Sequence, residues 1–150
     1  MMRKILYTIV ALIVVMAAMT FNACTIETSE AGDFEGMWHL TRVDTIATGG
    51  VLNKSNDKMY WSFQFKLMQA SDKTGRRKPI LMRYIAGDGT LKLHTPYIYN
   101  RGNGDKPLED TNPLKPYGIN NLEEEFQVLK LGGGKMQLKS DLLILTFRKF

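Results

Sequence analysis

The chain has 150 residues, with 20 Lys and Arg against 15 Asp and Glu, a net charge of +5 and 44% hydrophobic residues. That length suits one domain around one core. A single cysteine and two histidines exclude an intrachain disulfide and a thiolate-cluster metal site.

The N-terminus carries the clearest signal. Arg3 and Lys4 precede 17 uncharged residues, 5–21, and the small residue Ala23 stands before Cys24. A charged start, an apolar stretch and a small residue at the cut are the layout of a secretory signal peptide. Seventeen residues is also the short edge of what spans a bilayer, which leaves a retained anchor as the alternative. The Ala23-Cys24 pair resembles the bacterial lipobox, and the resemblance implies removal of residues 1–23 and diacylation of Cys24. Each buried acyl CH₂ contributes about 0.8 kcal/mol, so several chains hold a protein firmly on a membrane. Thr25, where an Asp would signal retention, implies by resemblance to lipoprotein sorting the outer membrane of a Gram-negative bacterium. Losing Arg3 and Lys4 leaves 18 basic and 15 acidic residues, a net +3. That mixed surface has no nucleic-acid footprint.

Residues 25–35 are polar and without period, and read as a flexible tether. The chain thus divides into a signal peptide (1–23), a lipidated Cys24 with its tether (24–35) and a folded domain (36–150). From Gly36 onward the pattern has period two. Met59, Trp61, Phe63, Phe65 and Leu67 alternate with Tyr60, Ser62, Gln64, Lys66 and Met68, which predicts one long strand with an apolar face. Ile80, Met82 and Tyr84 alternate with Leu81, Arg83 and Ile85. Gly87-Asp88-Gly89 turns the chain, and Leu91, Leu93 and Thr95 mark the return. Pro96 has no N–H for a ladder, so it is predicted to divide residues 90–95 from a short strand at 97–99. Residues 100–118 form the longest irregular segment, predicted to cover a mouth with Leu108, Leu114 and Tyr117 facing in. Strands then follow at 126–131, 135–139 and 142–150, joined by Gly132-Gly133-Gly134 and Ser140-Asp141.

Seven strands result, or eight if Pro96 splits one. Sequential strands with short turns and no helical crossovers imply an all-β antiparallel meander. Of a two-sheet sandwich and a single up-and-down β-barrel of about eight strands, the barrel is favoured because closure removes exposed edges.

Gly36-Met37-Trp38 opening the first strand, with Arg148 in the last, resembles the lipocalins and related calycin barrels, and the small lipocalin-like lipoproteins of Gram-negative bacteria. The resemblance implies that Trp38 closes one end of the barrel with Arg148 packed across its face, a cation–π contact. It also implies a cup for a small apolar or amphipathic ligand, lined by Trp61, Phe63, Phe65, Tyr84, Tyr97 and Tyr99. An eight-stranded interior can equally fill with side chains. The alternative is then a cell-envelope protein that binds a protein or glycan through its loops.

Enzymatic signatures are missing. His39 and His94 fall in different strands with no carboxylate at metal-ligand spacing. There is no Gly-x-Ser-x-Gly elbow, and the Gly132–Gly134 run joins two strands rather than opening a phosphate-binding helix. The expectation is a non-enzymatic, membrane-anchored protein without metal or cofactor. Lys73, Arg76, Arg77 and Lys78 form the densest basic cluster, which reads first as a solvated turn and second as a contact for lipid phosphate or acidic glycan.

Overall fold

The computed structural model describes residues 31–150. The expected signal peptide, Cys24 and the first part of the tether lie outside the described residues. Ten strands follow in order: β1 (Gly36–Thr45), β2 (Val51–Asn53), β3 (Met59–Gln64), β4 (Leu67–Asp72), β5 (Ile80–Gly87), β6 (Thr90–Ile98), β7 (Lys106–Pro107), β8 (Glu124–Gly132), β9 (Lys135–Lys139) and β10 (Leu143–Lys149). Eight of them close a ring, β1-β3-β4-β5-β6-β8-β9-β10, with β10 hydrogen-bonded back to β1. Every pairing is antiparallel. The two short strands β2 and β7 are flaps on β1 and β6. The expected closed antiparallel barrel is the observed one, and closure leaves no long unpaired edge among the eight.

The eighth strand arises at a different place from the one expected. Residues 59–68 are not one strand: Gln64 pairs with Leu67, so Phe65 and Lys66 form a two-residue hairpin turn. Such turns need positive φ, for which Asn and Gly are the usual residues. Here Phe65 takes φ +53°, and the hydroxyl of Tyr84 donates to the Phe65 carbonyl at 2.6 Å. Pro96, by contrast, does not break β6. A bulge sits beside it: Leu81 pairs with Tyr97 but Arg83 pairs with His94, and Thr95 takes φ +52°. A bulge is one of the few interior strand sites where a missing N–H costs nothing. Pro96 itself is buried.

Period-two alternation places Trp38, Leu40, Trp61, Phe63, Met68, Met82, Leu91, Phe126, Met136, Leu145 and Phe147 inside, each at most 1% exposed. The two ends differ. One, the entry end, holds the turns at residues 65–66, 87–89 and 132–134. A short 3₁₀ turn (Gly32–Phe34) plugs it: Ala31 is buried, and Phe34 is buried against Phe63 at 5.3 Å between ring centroids. The last residues of the expected tether are therefore part of the core. The other, the loop end, gathers the turns at 46–50, 73–79 and 140–142 with the long segment 99–123.

Trp38 lies under the entry end. Its indole N–H donates to the Phe34 carbonyl at 2.7 Å. The cation over its ring is Lys149, whose Nζ is 5.1 Å from the centroid, and not Arg148. Strand parity explains the difference. Trp38 pairs with Lys149, so both point to one side, while Arg148 pairs with His39 and is exposed outside. Gly36 begins the strand at φ +103°, and a Cβ there would meet Lys149 Cε at 3.3 Å. The glycine of the Gly-x-Trp triplet thus allows both the backbone turn and the fold-over of Lys149.

Candidate functional site

Three of the six aromatics expected to line a ligand cavity do face the barrel axis. Trp61 is 0% exposed, Phe63 1% and Tyr84 8%. They contact one another and their neighbours. Trp61 packs on Phe147 at 4.9 Å and edge-on to Phe126 at 5.7 Å, and Phe63 meets Tyr84 edge-on at 5.2 Å. Met68, Ala70, Met82, Leu91, Leu93, Met136 and Leu138 complete the inner surface at 0% exposure. A residue that no water can touch borders no water-sized void, so these side chains fill the space where a guest would sit.

The other three aromatics do not reach the interior. Phe65 is 57% exposed in its hairpin turn. Tyr97 and Tyr99 are half-buried on the outer side, because the bulge at Thr95 exchanges the two faces and turns Pro96 inward in their stead. Arg101 packs over the Tyr99 ring at 5.5 Å from its centroid and donates to its hydroxyl.

The loop end is sealed by residues 99–123, as expected of a mouth-covering segment. Leu108 is 8% exposed, and Leu114, Tyr117 and Ile119 are 0%. A 3₁₀ turn (Lys115–Tyr117) with Pro116 near its start drops Tyr117 into the mouth, and the Trp61 indole N–H donates to the Tyr117 carbonyl at 3.1 Å. Burial, with the Asp72 carboxylate nearby, pushes the Tyr117 hydroxyl up to about 12, so it stays protonated. Asp72 itself lies below the ordinary carboxylate range. The Thr74 hydroxyl at 2.6 Å is the main cause, with the more distant Arg77 guanidinium, at 4.0 Å, adding to it.

Outside this plug the loop end is concave. A cleft of about 530 Å³ is lined by Ile46, Glu123, Glu124, Glu125, Asp141 and Leu142 among others. Ile46 and Leu142 are apolar lips, 42% and 54% exposed. Lys92 pairs with Glu123 at 2.5 Å and holds its carboxyl below the usual range. Glu124 is the buried acid of the group, 6% exposed, and accepts from the backbone N–H of Asn120 at 2.6 Å. Desolvation outweighs these bonds and raises its pKa. A carboxyl raised on folding supports stability fully below its free pKa, and that support is lost as pH rises through the folded value. Urea unfolding in a pH series should show stability falling above the free carboxyl range, and Glu124→Gln should flatten that fall. A fall of equal size in Glu124→Gln would assign it elsewhere.

A smaller hollow of about 400 Å³ at this same end is lined by Arg77, Lys78, Asn112 and Pro113, two of them from the basic cluster. Among the described residues, no three of His, Cys, Asp and Glu could hold a metal ion. His39 stacks on Tyr60 at 4.8 Å and bonds the Asp57 carbonyl at 2.6 Å, while His94 bonds the Thr95 hydroxyl. Both histidines hold local structure.

The comparisons agree with this architecture. The model of the lipocalin-like domain matches residues 17–150. The crystal structure of a lipocalin-like protein from Bacteroides uniformis superposes with a TM-score of 0.60 at 21% identity, covering 79% of this chain and 100% of that one. An uncharacterized protein from Bacteroides eggerthii gives 0.53 at 18% identity, covering 78% and 99%. A protein from Burkholderia xenovorans, solved by NMR, gives 0.51 at 17%, covering 81% and 88%. No curated protein matches significantly. At these identities the solved structures speak for the fold alone, and the match over residues 17–150 carries the assignment: the chain belongs to the lipocalin-like domain family.

Proposed function

We propose that the chain is a membrane-anchored, non-enzymatic cell-envelope protein that binds a protein or glycan through the loop end of its barrel, not a small apolar molecule inside it. A lipocalin-like barrel suggests a ligand-binding protein. The observation that carries the present reading is the filled interior: Trp61, Phe126 and Phe147 occupy the axis, and Leu114 and Tyr117 stop the mouth. An internal guest would have to displace the Tyr117 plug and break its bond to Trp61. Even a few extra methylenes in a filled core cost about 1–3 kcal/mol, and a guest molecule brings more. The loop end, in contrast, offers a wide cleft with two exposed apolar lips and several carboxylates, a mixture suited to a polar macromolecule.

Site-specific photo-crosslinking in the living cell tests this. With the crosslinker at Asp141 or Asn112 in the full chain, discrete adducts are expected. With it at Arg83 on the barrel wall, none is expected. Equal labelling at all three positions, or no adduct at the loop end, would overturn the proposal.

A further inference from the structure

We infer that the entry end of the barrel lies against a lipid bilayer, with Phe65 and Ile85 inserted among the headgroups. The observation that first sets this end apart is Phe65. A bulky side chain at φ +53° is a backbone outlier, held in place against its own steric preference. Among the described residues the ring has no aromatic or cation partner: it is 57% exposed, and the Tyr84 hydroxyl donates to the backbone carbonyl. The turn therefore holds an aromatic in water where Asn or Gly would serve the hairpin better.

Its neighbours match it. Leu67 pairs with Arg83 on the outer face, and continuing that register brings Phe65 opposite Ile85. Leu67 is 42% exposed and Ile85 62%. Phe150, 78% exposed, has its backbone at the same end, where its N–H donates to the Met37 carbonyl, and its ring lies edge-on to Tyr60 at 5.5 Å. Lys66 is exposed in the turn itself, and Lys130, Lys135 and Arg148 are exposed on the opposite arc of the same rim, where β8, β9 and β10 meet this end. Asp33, Glu35 and Asp88 share the same end. Apolar tips set among cations are the chemistry that seats a surface in the interface of an anionic bilayer.

The chain's own path points the same way. The described residues begin at Ala31, buried in this end. Cys24 stands seven residues earlier in the sequence. Seven residues reach at most about 25 Å even when fully extended. The inference rests on the anchored reading to this extent: with lipid on Cys24, no end of the barrel is held closer to the membrane. It also completes that reading, because the loop end, with its cleft, then faces away from the lipid.

The test uses the full chain, extracted from its own envelope and reconstituted into vesicles of phosphatidylethanolamine and phosphatidylglycerol. An environment-sensitive fluorophore is placed by Phe65→Cys, by Ile85→Cys or, as the distant reference, by Asp141→Cys. Brominated acyl chains are expected to quench the label at positions 65 and 85 several-fold more than at 141. The intact mass of the same preparation reports separately whether Cys24 carries acyl chains. Acylated protein with equal quenching at all three positions would overturn the membrane-facing end and leave the anchor standing. Protein without acyl chains but with quenching at 65 and 85 would overturn the anchor and support the face. Protection of the label at 65 that follows protein concentration and not lipid would assign the face to a second copy of the chain and overturn the proposal.

Discussion

Trp61→Ala is expected to cost about 3–5 kcal/mol of folding stability, the range for emptying a large aromatic from a close-packed core. Trp61 is inaccessible to water, touches Phe63, Phe126 and Phe147, and holds the Tyr117 carbonyl through its indole N–H. Removing it therefore empties the barrel axis and frees the plug together. Trp61→Phe separates the two effects. It keeps most of the apolar volume but leaves the Tyr117 carbonyl without its donor, for which a loss of about 1–3 kcal/mol is expected. Urea unfolding measures both. The cavity in Trp61→Ala should also accept indole, so that added indole raises the unfolding midpoint of this variant and not that of the parent. A native state that takes up ligand gains stability with its concentration, which makes the midpoint a direct report of occupancy. If Trp61→Ala lost less than 1 kcal/mol, the axis would not be packed as described.

Gly118→Ala is the second large effect. Gly118 follows the plug turn at φ +82°, where an L-residue is strained, and a Cβ there would lie 2.5 Å from Leu145 Cδ2 and 2.9 Å from Cδ1. The left-handed backbone alone costs an L-residue about 1–2 kcal/mol, and overpacking a filled core adds about 1–3 kcal/mol. Gly89→Ala provides the comparison: its φ of +75° is similar, but nothing lies within 4 Å of the added carbon. Thermal or urea unfolding should show Gly118→Ala losing distinctly more than Gly89→Ala. Equal losses would mean that Leu145 yields freely and that the plug is loosely seated.

The barrel was legible in the sequence because its determinants are local. Alternation of Ile80, Met82 and Tyr84, or of Leu91 and Leu93, fixes which face is buried whatever the strands pair with. The mouth-covering role of Leu108, Leu114 and Tyr117 was legible for a related reason, since three large apolar residues in a Gly- and Pro-rich loop have to be buried somewhere. What escaped were the points where the phase changes. The turn at Phe65 and Lys66 carries neither Asn nor Gly, so period two runs through it unbroken and makes two strands look like one. The bulge at Thr95 is marked only by Pro96, which reads equally well as a strand break, and it reverses the faces of Tyr97 and Tyr99. Parity counted along β10 alone cannot tell Arg148 from Lys149 as the partner of Trp38, because only the pairing of β1 with β10 decides which residue shares its side. Phe34, a lone aromatic in an otherwise polar segment, was the one available sign that the last residues of the tether belong to the core.

The candidate site was less legible, for a physical reason. Hollow and filled barrels share the same alternating pattern, and they differ only in whether summed side-chain volumes match the enclosed space. Here Trp61, Phe126 and Phe147 from three separate strands converge with Tyr117 from the loop. That convergence depends on long-range pairing. The cleft at the loop end is likewise assembled from residues far apart in the chain, Ile46 with Glu123–Glu125 and Asp141.

Methionine-methyl NMR of the full chain reads directly whether the interior is filled. Met68, Met82 and Met136 have no exposure and sit inside the barrel, whereas Met37 and Met59 are partly exposed. With only the methionine methyl groups labelled, a fatty acid or indole is titrated into the folded protein. The three interior resonances are expected to stay fixed through the titration. Saturable shifts at Met68, Met82 and Met136 would show a guest inside the barrel and contradict the filled interior.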